Sequence, residues 1–103
     1  KPRRVVVLII TDGMENASRE FTSGQVWSMI ADRKRAGWEF FYLGAGLEDL
    51  RDAERVGIGR NRSASFDKAQ MVQTYSAMSD TIRSFMESGE VREDWDEAIG
   101  KRP

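Results

Sequence analysis

Arg4-Val5-Val6-Val7-Leu8-Ile9-Ile10-Thr11-Asp12-Gly13-Met14-Glu15-Asn16 decides the fold of this chain. From Val5 to Ile10 the run is unbroken, apolar and mostly β-branched, and it ends abruptly at Thr-Asp-Gly. An alternating pattern would mark a strand with one wet face. A continuous run marks a strand covered on both faces, as in a parallel sheet with helices above and below. Asp12 then stands where the strand hands the chain to a loop. Such a strand needs a neighbour on each edge, and a carboxylate at its tip needs fellow ligands before it can hold a metal.

Outward from this strand, the chain alternates. A polar loop, Thr11 to Phe21, leads to a helix over about Gly24 to Ala36, with Thr22 or Ser23 as its N-cap and Gly37 as its stop. Val26, Met29 and Ile30 form its apolar face. Trp38 to Leu43 is a second, aromatic strand, whose Phe40, Phe41 and Tyr42 read as core. Gly44-Ala45-Gly46 is a strand-to-helix turn. It lacks the third glycine of a dinucleotide fingerprint, because Asp49 stands there. A short helix follows over about Leu47 to Val56, with Leu50 and Ala53 on its apolar face, and Gly57 and Gly59 break it. A third strand lies near Ala64 to Phe66. The longest helix spans about Lys68 to Ser88, with Met71, Tyr75, Met78, Ile82 and Phe85 as its stripe and Gly89 as its stop.

The order β-α-β-α-β-α predicts an α/β fold of three layers, with a parallel sheet of about three strands and right-handed crossovers. Residues 1–89 form this domain. Residues 90–103 form a charged C-terminal tail, disordered or docked as a short helix through Val91, Trp95 and Ile99. Trp95 has two readings: an anchor holding the tail to the domain, or a segment that binds a partner.

The 103 residues include no cysteine and no histidine. That rules out disulfides, thiolate nucleophiles, Cys/His zinc sites and histidine acid–base catalysis. Any metal site must use oxygen ligands, which favours Mg²⁺ or another hard divalent cation. Charged residues make up 32% of the chain, yet the net charge is −1, so there is no bulk attraction to nucleic acid or to an anionic membrane. The clusters Arg33-Lys34-Arg35 and Arg51, Arg55, Arg60, Arg62 are interleaved with acids and read as solvated faces. No apolar run approaches the ~20 residues of a membrane span. The expected setting is the cytoplasm. Because the chain opens Lys1-Pro2-Arg3-Arg4 without an initiator Met, it is expected to be a fragment.

The string Ile9-Ile10-Thr11-Asp12-Gly13-Met14-Glu15-Asn16-Ala17-Ser18-Arg19-Glu20-Phe21-Thr22 resembles bacterial von Willebrand factor A-type (vWA) domain proteins, and the resemblance continues through Gly37 to Ala45. It covers about Val5 to Ile58 and, more weakly, the last helix. It implies the C-terminal half of a vWA domain, a Rossmann-like fold in which a metal-ion-dependent adhesion site binds an acidic group on a protein partner. Of that metal site only Asp12 carries over; apart from the resemblance, Glu15 and Asn16 of the same loop could add oxygens, the other reading being a solvated loop with Asn16 making an Asx-turn. The family's Asp-x-Ser-x-Ser loop and the Thr from a separate loop have no counterpart here, so the site is incomplete and metal binding by this chain is expected to be weak. The resemblance also implies that the strand Val5 to Ile10 is central in the complete fold. With one edge bare, it is expected to pair with a second copy, to swap elements, or to recruit the missing half-domain. The implied role is a protein-interaction module, not an enzyme. A metal-assisted phosphoryl-transfer or hydrolase domain and a purely structural assembly domain are the alternatives.

Overall fold

The computed structural model describes residues 4–11 and 23–99. Three parallel strands form one sheet in the order β1-β2-β3, where β1 is Val6–Thr11, β2 Glu39–Gly44 and β3 Ser63–Ser65. The β1–β2 register runs from Val6 opposite Glu39 to Thr11 opposite Gly44, and β3 pairs only with the end of β2, from Tyr42 opposite Ser63 to Gly44 opposite Ser65. Helices α1 (Ser23–Arg35) and α2 (Leu47–Arg55) make the two crossovers, and α3 (Met71–Ser88) follows β3. The α/β class, the parallel sheet and the element order read from the sequence are those observed.

The period of two along each strand separates two cores. On one face Phe40 and Tyr42 pack with Ile30 of α1 and with Ala53 and Ile58, and Val7 and Ile9 of β1 join them. On the other face Phe41 and Leu43 pack with Met78 of α3, Phe66, Trp95 and Ile99, joined by Val6, Leu8 and Ile10. Helices therefore lie on both faces and the fold has three layers. The middle layer is not evenly covered. From Phe40 to Gly44 every residue of β2 is buried, whereas every residue of β1 is only half-buried.

Local boundaries follow simple chemistry. Gly37, Gly57 and Gly89 adopt φ of 97°, 91° and 80°, the left-handed region that ends helices at glycine. The last helix is preceded by a single 3₁₀ turn, Lys68–Gln70, because the Asp67 carboxylate accepts from the Ala69 N–H at 2.9 Å and tightens the entry. The α-helix proper therefore starts at Met71, the first residue of the apolar stripe, and three residues later than the expected start at Lys68. That stripe is also rotated from expectation. Thr74 is buried beside Met78 and Phe85, while Tyr75 is 51% exposed.

Residues 90–99 are docked through a series of turns, not a short α-helix. Trp95 accepts no solvent role: it is buried, its ring meets Phe41 edge-on, and its indole N–H donates to the Asn61 carbonyl at 2.8 Å. Ile99 is buried in the same cluster. The tail thus lies along the flank of α3 that carries Ala77, Thr81 and Ser84, with an open cleft between the two, and the small residues of that flank gave no apolar signal. Of the two readings of Trp95, the anchor is the one observed.

Candidate functional site

In a parallel α/β sheet, chemistry gathers beyond the carboxyl ends of the strands. Here those ends are Thr11, Gly44 and Ser65, set side by side by the register. The ladder continues past the strands: Ala45 N–H donates to the Thr11 carbonyl at 3.1 Å, and Phe66 N–H donates to the Gly44 carbonyl at 2.9 Å. The glycine-rich turn after β2 is extended at Gly46, with φ −150° and ψ 169°, and leads directly into α2. It behaves as the strand-to-helix turn expected of it.

Asp12, Glu15 and Asn16, the metal ligands implied by the sequence, lie outside the described residues. Among the described residues no three acidic side chains are grouped to share a cation. Asp67 is a carboxylate at the same end of the sheet that sequence reasoning did not single out. It sits two residues beyond β3, and the signal that could have found it is the Asp-x-Ala entry to the last helix. Its geometry does not extend a site at β1. Neighbouring strands are ~4.8 Å apart, which places β3 ~10 Å from β1, whereas oxygen ligands share a cation at ~2 Å. The Asp67 carboxylate is moreover committed to capping.

Three residues of the basic clusters form ion pairs, while Lys34 donates to the Gly57 carbonyl and Arg33 lies over the Trp38 ring. Arg35 pairs with Asp32, and Arg55 with Asp52 at 3.3 Å, both exposed. Arg62 is different. Its guanidinium bonds Glu39 at 2.8 Å, both side chains being about three-quarters buried, and it lies 5.9 Å from the centroid of Phe41. It braces the amino ends of β2 and β3. Arg92 is held by both oxygens of Asp94 at 3.0 Å; that bond raises its already high pKa, so it is a fixed cation. It lines an open cleft of about 300 Å³ between α3 and the tail, with Thr81, Ser84, Asp94, Glu97 and Ala98.

The feature with chemical consequence is the free edge of β1. The Val5 carbonyl accepts from Glu39 N–H at 2.9 Å and the Thr11 carbonyl accepts from Ala45. Along a strand, backbone groups alternate between its two edges. Odd-numbered residues of β1 therefore bond β2, and the N–H and C=O groups of Val6, Leu8 and Ile10 point away from the sheet. Among the described residues no strand meets them. The opposite edge is unlike it, since β3 is only three residues, Ser-Ala-Ser. A long apolar edge is the kind that recruits another strand, and a very short edge is the kind that does not.

No protein-family model, curated protein or solved structure matches the chain.

Proposed function

We propose that this chain is a protein-interaction module, a half-domain of the vWA type that works by accepting a strand along β1. The observation that carries this reading is the contrast between two adjacent strands: β2 is buried from Phe40 to Gly44, whereas β1, aliphatic from Val6 to Ile10, is only partly buried along its whole length. Partly exposed Val, Leu and Ile on both faces are stabilised by further burial at about 25 cal/mol per Å², and three outward N–H and three outward C=O groups, met by no strand among the described residues, are those that an added strand would pair in register.

Metal has a secondary part in this reading. Asp12 contributes one carboxylate of a divalent site, with Glu15 and Asn16 beside it, and one carboxylate among waters binds Mg²⁺ weakly. The acidic partner group of a complete adhesion site would then meet a metal that this chain alone does not retain. We place the module in the cytoplasm; no helix among the described residues is long and apolar enough to cross a membrane.

Light scattering on a sizing column between 1 and 200 µM tests the reading. Concentration-dependent assembly is expected, and a folded monomer at every concentration contradicts it.

A further inference from the structure

We propose that the strand accepted by β1 is the β1 of a second copy, running antiparallel about a twofold axis through Leu8. The inference rests on the strand-accepting reading above and names its partner.

Symmetry restricts the choices. A twofold axis normal to the sheet passes midway between a residue and the same residue of the other copy, so paired residue numbers sum to an even value. Centring on Leu8 sets Val6 against Ile10, Val7 against Ile9 and Val5 against Thr11. Every outward-pointing residue of one copy (Val6, Leu8, Ile10) then meets an outward-pointing residue of the other, and all their N–H and C=O groups bond across the dyad. Partners share parity, so they also share a face. Val6, Leu8 and Ile10, which pack on the Met78 and Trp95 side, meet their equals, and so do Val7 and Ile9 on the Ile30 side. Centring on Val7 instead would set Arg4 against Ile10. Arg4 is already engaged, donating to the Met86 carbonyl at 2.6 Å, and a cation beside a newly buried Ile is unfavourable.

The helices supply the rest of the interface. A strand pair alone covers less than the ~1,200 Å² at the lower end of specific interfaces. On α1, Trp27 leans over Gly57 at the end of α2. Met29 lies on the other side of the inward Val26–Ile30 stripe at 100° per residue, toward the bare edge, and is 48% exposed. On α3 the tail lies along the Ala77–Thr81–Ser84 flank. The opposite flank carries Tyr75 and Met86, 51% and 47% exposed, and the Arg4 bond to Met86 shows that this end of α3 lies at the start of β1. The same dyad brings α1 to α1 on one face of a six-stranded sheet, and α3 to α3 on the other, so these apolar flanks meet.

The natural chain has no cysteine, so a single introduced thiol reports the register. Leu8→Cys should oxidise to a disulfide-linked dimer, because a hydrogen-bonded antiparallel pair has Cα atoms ~5.5 Å apart, within disulfide range. Arg51→Cys, on the exposed side of α2, should cross-link at least about tenfold more slowly. Tyr75→Glu with Met86→Glu changes only exposed positions and should raise the dimer dissociation constant at least about tenfold, by burying charge at the interface. An assembly in which Leu8→Cys links no faster than Arg51→Cys overturns the self-pairing and leaves the strand-accepting edge standing. A folded monomer at 200 µM overturns both.

Discussion

The indole of Trp95 meets the ring of Phe41 edge-on, with centroids 4.8 Å apart and planes at 71°. Phe41 is fully buried in β2 and Trp95 belongs to the turns of residues 90–99, so this contact ties the tail to the sheet. Truncating the indole should cost about 3–5 kcal/mol, the range for large-to-small aromatic changes in a core. Trp95→Phe keeps much of the packing and loses the bond to the Asn61 carbonyl, at about 1 kcal/mol. Urea unfolding of the two variants checks the order.

Gly89 holds φ +80°, and a Cβ there would stand 3.1 Å from the Arg4 guanidinium. Gly89→Ala should destabilise by about 1 kcal/mol, because alanine resists the left-handed region, whereas the flexible Arg4 side chain need yield only slightly. A thermal melt showing the variant as stable as the parent would contradict the left-handed stop at Gly89.

Two arginines of similar sequence context should behave differently. Arg62 shares a partly buried pair with Glu39 and lies over Phe41, so Arg62→Ala should cost about 1–2 kcal/mol in lost packing, charge pairing and ring contact. Arg35 pairs with Asp32 in the open, at 73% and 65% side-chain exposure, and Arg35→Ala should cost under ~0.5 kcal/mol. High salt should narrow the first difference little, since the Glu39–Arg62 pair is shielded from mobile ions.

Metal removal should leave the fold unchanged. Chelation by EDTA is expected to shift the melting temperature by less than about 1 °C, since a single carboxylate gives no site tight enough to stabilise by mass action. Calorimetry finding micromolar Mg²⁺ affinity that is lost in Asp12→Ala would show that the loop after β1 is a sufficient site.

Much of this architecture is legible in the residues. The Val5–Ile10 run, the Phe40–Tyr42 aromatics and the stops at Gly37, Gly57 and Gly89 locate the sheet and its crossovers through patterns that local chemistry imposes. The rotation of α3 is not legible, because it depends on what covers the helix. Thr74 is buried and Tyr75 exposed, and nothing in the helix itself announces that the tail docks beside it. The short β3 is likewise defined by its pairing with Tyr42 to Gly44 more than by Ser63-Ala64-Ser65. Asp12 rests on the family resemblance and on its position after an apolar strand, and Glu15 and Asn16 only on being oxygen donors in the same loop. The bare edge of β1 is expected from the resemblance, and among the described residues no strand meets that edge.

Hydrogen exchange at alternate residues of β1 tests the central claim most directly. At high concentration the account predicts slow exchange at Val6, Leu8 and Ile10, whose N–H groups face the free edge, comparable to Val7 and Ile9. On dilution the first set should become fast while the second, bonded to β2, stays slow. Fast exchange at Val6, Leu8 and Ile10 at every concentration would contradict it.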